Sequence, residues 1–260
     1  MEAPASRDAR RATKEDRMSE TLLAVHNVTK RFGSFVALSD ISLEIGAGER
    51  IGIIGPNGSG KTTLINCVSG RLRPESGRVV FGGEDVTRMQ PHRRAQRGLA
   101  RTFQIPQPFH GMTLVENLYV PLEYGARGTE RPDRAALRES ALRILDSLGL
   151  GGKADEGCGA LSQIELRKLE LARALAVNPR LLVSDEAMAG LSASEVDEVL
   201  DILFALAGRG ITVIMIEHIM HAIMRFSERV LCIVSGKLIA AGPPDEIVRH
   251  PEVQRAYIGD

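Results

Sequence analysis

The stretch Gly55-Pro56-Asn57-Gly58-Ser59-Gly60-Lys61-Thr62 constrains this 260-residue chain more than any other part of it. It matches G-x-x-x-x-G-K-[ST] in full, directly after an apolar run, Arg50 to Ile54, that reads as a strand, and before a helical run, Thr63 to Ser69. In such a loop the glycines let main-chain N–H groups converge on phosphates, and the following helix turns its positive end toward them. Lys61 then supplies a point charge to the β- and γ-phosphates, and Thr62 offers a hydroxyl to Mg²⁺. Nucleotide binding through Gly55 to Thr63 follows. The motif alone leaves kinases, GTPases, helicases and transport ATPases open.

Further Val- and Ile-rich runs lie at Leu22 to Val28, Ile41 to Ile45, Arg78 to Phe81, Arg180 to Ser184, Thr212 to Ile216 and Arg229 to Val234. Longer helical patterns separate several of them, which implies βαβ units and an α/β fold with a mainly parallel sheet. From about Thr87 to Leu150 the character turns helical, with Arg93 to Leu99, Thr113 to Tyr119 and Asp133 to Leu148, as an insertion between two sheet-forming halves. Gln104 to Gly111 and Tyr124 to Arg131 read as loops within it.

Composition narrows the partners. Thirty-three basic and thirty-three acidic residues cancel, so no long-range field draws nucleic acid or an anionic bilayer, and membrane contact has to come through a protein. The three cysteines, Cys67, Cys158 and Cys232, form no C-x-x-C pair, which argues against zinc and suits a reducing compartment. No apolar run approaches the roughly 20 residues of a spanning helix. Residues 1–20 lack an apolar stretch of the secretory kind and read as a disordered leader.

Two more strands end in polar groups that carry chemistry. After Arg180 to Ser184 come Asp185, placed to hold Mg²⁺ opposite Thr62, and Glu186, placed to orient an attacking water. Strand-end carboxylates also cap neighbouring helices, so this pair has a plainer reading too. Thr212 to Ile216 runs into Glu217 and His218, whose ring then opens on the same crevice, within reach of the γ-phosphate.

In this order, the motifs resemble the ATP-binding cassette (ABC) transporter family, over Leu22 to Asp260. The resemblance implies a RecA-like P-loop NTPase core with an antiparallel β subdomain and an inserted helical lobe. The lobe is placed at about 87–175, the core at 21–86 and 176–240, and a C-terminal extension at 241–260. It also implies that Phe32 stacks on adenine, that Gln104 reaches Mg²⁺ and the attacking water, and that Leu161-Ser162 with the helix Leu166 to Ala176 is the signature segment. Ala189-Gly190-Leu191-Ser192 is similar to the loop that communicates between two cassettes. Gly98 to Gln104, Met112 to Asn117 and Pro251 to Gly259 resemble the branched-chain amino-acid importers. Such importers, on this likeness, pair two cassettes beneath two membrane permeases at the cytoplasmic face of the inner membrane and receive solute from an external binding protein. ATP and Mg²⁺ are the implied ligands.

The signature departs from the family pattern, with Gln163-Ile164-Glu165 where two glycines and a glutamine are usual. Glu165 either brings negative charge toward the γ-phosphate or, as the last member of Ser162-x-x-Glu165, turns back to cap its own helix. Ala187 replaces the usual proline after Asp-Glu. If the charge reaches ATP, a regulatory cassette with weak hydrolysis, or one weak site in a heterodimer, becomes the alternative. A cassette serving DNA repair or translation, or a small-molecule kinase, fits the order of motifs less well.

Overall fold

Along four strands of one sheet, successive Val, Ile and Leu side chains point in opposite directions, and both directions are buried. The computed structural model describes residues 20–125 and 133–258. Nearly all of the leader, most of the loop from Tyr124 to Arg131, and Gly259 with Asp260 lie outside the described residues.

β1 (Thr21–Phe32) and β2 (Phe35–Gly46) form a long hairpin, and β3 (Arg50–Ile54) then enters a second sheet. β4 (Ser76–Phe81) and β5 (Glu84–Asp85) return to the hairpin, giving an antiparallel sheet ordered β2-β1-β4-β5. β6 (Leu99–Arg101), β7 (Leu181–Asp185), β8 (Thr212–Ile216), β9 (Arg229–Val234) and β10 (Lys237–Gly242) join β3 in a sheet ordered β10-β9-β3-β8-β7-β6. Its neighbours are parallel except where β10 pairs with β9. The described helices are α1 (Lys61–Ser69), α2 (Pro91–Gln96), α3 (Leu114–Gly125), α4 (Arg134–Ser147), α5 (Gln163–Leu175), α6 (Ala193–Gly208), α7 (Met220–Phe226), α8 (Pro244–Arg249) and α9 (Pro251–Ile258).

Leu181 and Val183, Ile214 and Ile216, Leu231 and Ile233 pack toward α1 and the antiparallel sheet. Leu182, Val213, Met215 and Cys232 pack into the opposite cluster, filled by residues of α3 to α7 and reached by Ile247 and Val253. A strand covered on both faces reads as an unbroken apolar run, which is why β3, β8 and β9 fall where the sequence puts them. Three helices of the second cluster start at side-chain caps. Asp133 accepts from the Ala136 N–H at 2.7 Å, and Ser162 and Ser192 each close a reciprocal capping box with the glutamate three residues on.

One helical expectation is corrected. Arg93 to Leu99 is not one helix: α2 ends at Gln96, Gly98 takes a positive φ of 91°, and Leu99 to Arg101 are the edge strand of the large sheet, paired with Leu181 to Val183. Arg94, 1% exposed, fastens this segment to the core by donating to the carbonyls of Cys67 and Val68 at 2.8 and 2.6 Å. Those carbonyls belong to the last turn of α1, where the Cys67 carbonyl also accepts the N–H of the C-cap Gly70. Arg94 and β6 thus tie this stretch to α1 and to the large sheet.

Ile216 pairs with Ile53 on one side and Asp185 on the other. The segments after β3, β7 and β8 therefore leave the sheet at one edge, the place where open parallel sheets bind ligands. Among the described residues, no helix is long and apolar enough to cross a membrane.

Candidate functional site

β3 hands over to α1 through a loop that only glycine can build at two points. Gly55 has φ 148°, and a Cβ there would lie 2.0 Å from the Ile233 carbonyl oxygen. Gly60, at the N-cap of α1, has φ 110°, and a Cβ would meet the Ala37 carbonyl at 2.6 Å. No side chain caps α1 and its first turn holds no acid, so its leading N–H groups and the positive end of its dipole face the loop uncompensated. The Ser59 hydroxyl is buried there without a partner among the described residues. Lys61 Nζ donates to the carbonyls of Gly55 at 2.6 Å and Pro56 at 3.0 Å. Burial lowers the lysine's pKa, opposed by the attraction of Glu186, Cys232 and Asp185.

A cleft of about 250 Å³ opens over this loop, lined by Phe32, Phe35, Ala37, residues Asn57 to Thr63, Glu186 and His218. Of the residues expected to hold nucleotide, Gly55 and Pro56 support it from behind through Lys61. Phe32 is 49% exposed on the end of β1, with Lys30 Nζ 5.4 Å from its ring centre. A large exposed aromatic at the rim of a polar cleft is not core packing.

The three residues read as catalytic meet at one carboxylate. Glu186 Oε2 accepts from Gln104 Nε2 at 2.5 Å, and Oε1 lies 3.2 Å from His218 Nε2. Glu186 has a positive φ of 47°, held by its N–H donating to the Ile216 carbonyl at 2.9 Å. A non-glycine residue kept in that region is strained, and strain of this kind clusters at working sites. Asp185, one residue earlier, is engaged differently: Arg101 Nη2 donates to its Oδ2 at 2.6 Å, and Arg101 Nη1 reaches Asn66 Oδ1 of α1 at 2.6 Å.

Comparison with known proteins gives the family. The ABC transporter family model matches residues 38–189, more than half of the chain. The chain belongs to the ABC transporter family. A second model, of the branched-chain amino acid ATP-binding cassette transporter, matches residues 237–260. The chain is similar to the probable branched-chain amino acid transport ATP-binding protein LivG of Methanocaldococcus jannaschii, 34% identical over 92% of this chain and 98% of that one. It is equally similar, at 34%, to the high-affinity branched-chain amino acid transport ATP-binding protein BraF of Pseudomonas aeruginosa, over 94% of this chain and all of that one. The lipopolysaccharide export system ATP-binding protein LptB of Haemophilus influenzae is also 34% identical, over 92% of this chain and 98% of that one. Among solved structures, an ATP-binding cassette in an ADP conformation superposes with a TM-score of 0.85 at 33% identity, over 93% of this chain and 100% of that one. A P-loop ATPase core with an antiparallel β subdomain and a helical lobe is therefore the fold of this cassette, and nucleotide is its ligand.

In this ABC cassette the signature serine does not join the cleft. Ser162 caps α5, its N–H donating to Glu165 Oε2 at 2.9 Å, while Lys153 Nζ pairs with Glu165 Oε1 at 2.6 Å. Of the two readings of Glu165, the capping box is the one found. The carboxylate's pKa is lowered, first by Lys153 and then by the Ser162 N–H. Beside it, Gln163 Nε2 donates to the Ala189 carbonyl at 3.1 Å.

Sequence reasoning gave no role to Arg101, Arg167, Phe35 or Glu217. Arg167 is 7% exposed and its guanidinium donates to the carbonyls of Gln104 and, at 3.4 Å, of Phe103 and Ala189. Glu217 is 3% exposed and accepts from the Met188 N–H at 2.9 Å. For Arg101 a signal existed: a buried strand-end aspartate requires a cation, and the ABC cassette has one on the adjacent strand.

Burial raises the Glu217 carboxyl from the ordinary carboxylate range to about 7, opposed by the Met188 N–H bond and reinforced by Glu186. A carboxyl with a raised folded-state pKa favours the fold fully at pH below about 4.5, and that contribution is lost as pH rises through about 7. Glu217→Gln, which keeps an acceptor but has no proton to lose, should remove this slope. Wild type should lose up to about 3 kcal/mol relative to the variant between pH 4.5 and 7.5, measured by urea unfolding across that range. Parallel curves would show that Glu217 is not held protonated.

Proposed function

We propose that this chain is the ATP-hydrolysing subunit of an importer for branched-chain amino acids or related small polar solutes. It works with a second cassette beneath paired membrane permeases, at the cytoplasmic face of the membrane, and solute arrives on an external binding protein. The observation that carries the reading is the convergence of Gln104 and His218 on Glu186 beside the phosphate loop. The match of residues 237–260 to the branched-chain family favours that solute class over the lipopolysaccharide of the LptB relative.

In this reading Phe32 stacks on the adenine, the N–H groups at the start of α1 and the Ser59 hydroxyl donate to phosphate oxygens, and Lys61 exchanges its two carbonyl partners for them. Thr62, Asp185 and the Gln104 amide oxygen form the hard oxygen set that Mg²⁺ takes alongside phosphates. Bound there, Mg²⁺ neutralises charge that builds on the transferred phosphoryl group. Glu186 orients the attacking water and accepts its proton, Gln104 and His218 fix the carboxylate, and His218 faces the γ-phosphate. Ser162 would act on a neighbouring cassette's nucleotide. Glu165 is turned back onto Ser162 and Lys153, which supports full hydrolysis over the weakly hydrolysing, regulatory reading.

The test is the assembled complex in proteoliposomes. ATP hydrolysis should rise several-fold when a binding protein loaded with leucine, isoleucine or valine is added, with uptake of the labelled amino acid. Turnover indifferent to every liganded binding protein sinks the importer reading.

A further inference from the structure

The main chain of Gly55 is held by two side chains, one from six residues on and one from the last helix. Its carbonyl accepts from Lys61 Nζ at 2.6 Å, and its N–H donates to the Tyr257 hydroxyl at 2.7 Å, across 202 residues of sequence. The N–H lies just past the last ladder pairs of β3, Ile53 with β8 and Ile54 with β9, so the sheet supplies it no acceptor. The residue is buried. Tyr257 comes from α9, which is seated by Val253, 4% exposed and part of the large cluster, while α8 beside it is seated by Ile247, 3% exposed. Tyr257 as a whole is 45% exposed, yet partial desolvation raises the phenol's pKa above its ordinary value, so the oxygen accepts as a neutral hydroxyl.

We propose that Tyr257 is a positioning residue for the phosphate loop, fixing Gly55 while Lys61 trades the loop's carbonyls for phosphate oxygens. The inference rests on the nucleotide role proposed for Lys61. A lysine that leaves the Gly55 and Pro56 carbonyls removes one of the two ties on Gly55, and the phenol is the tie that remains. Without it, a buried N–H has no partner and the loop turns to find one, which misaligns the donors that follow. Tyr257 bonds the Gly55 N–H and is not among the residues that line the cleft with Glu186, so the cost falls on binding and not on the chemical step.

Tyr257→Phe in the full chain keeps the ring and deletes the acceptor. ATP affinity by calorimetry should fall about fivefold to tenfold, and KM in the assembled complex should rise by the same factor with kcat within twofold. Exchange of the Gly55 amide with deuterium, measured by NMR without nucleotide, should accelerate at least tenfold, with Tm little changed. Unchanged affinity overturns the proposal, as does a lower Tm with KM unmoved, or a fall in kcat alone. Should wild type itself bind no ATP, the proposed function fails, while an unaltered Gly55 exchange rate in the variant would separately show that the tie does not exist.

Discussion

Glu186→Gln should reduce ATP turnover in the assembled complex by roughly 10²- to 10⁴-fold while leaving ATP affinity within about threefold. Glutamine has the shape of glutamate and can still meet Gln104 and His218, which lie 2.5 and 3.2 Å from the two carboxylate oxygens. It cannot accept a proton from water. The loss therefore belongs to kcat, and a single-turnover measurement with saturating Mg-ATP reads it directly. Turnover within tenfold of wild type would show that the proton goes elsewhere.

Arg101→Met should be the most damaging single change to stability in the site. The pair it breaks is buried, with side chains 9% and 6% exposed for Arg101 and Asp185, and the partner left behind is an uncompensated carboxylate. Removing one member of such a pair costs about 3–5 kcal/mol. In a chain of this size that lowers Tm by about 10 °C. The variant also loses the bond from Arg101 to Asn66, and with it a strut between the edge strand and α1. Pairing it with Asp185→Leu should recover most of the stability without recovering hydrolysis, because the lone charge is gone but so is the carboxylate proposed for Mg²⁺. A loss below about 1 kcal/mol for Arg101→Met would mean that Asp185 is well solvated.

What was legible in the sequence was local. The phosphate loop, β3 before it and the acids that close β7 are read from neighbours a few residues away, and the structure puts Lys61, Glu186 and His218 around one cleft. β6 was missed because three residues cannot display a period, and the helical composition around Arg93 overrides them. Glu165 was ambiguous for a different reason. Its fate is decided by Lys153, twelve residues earlier, through a contact that no pattern within α5 announces. The roles of Phe32, Gln104 and Ser162 came from likeness to the ABC family alone, since a single aromatic, amide or hydroxyl carries no spacing. The contact between Gly55 and Tyr257 was beyond reach because it depends on how the last helix packs.

The guanidinium of Arg167 donates to carbonyls on both sides of Glu186 in the chain, at Phe103 and Gln104 before it and Ala189 after it. Two segments that lie some 85 residues apart in the chain are thus fastened to a single side chain, so the stretch that carries Gln104 and the one that follows Glu186 share one anchor.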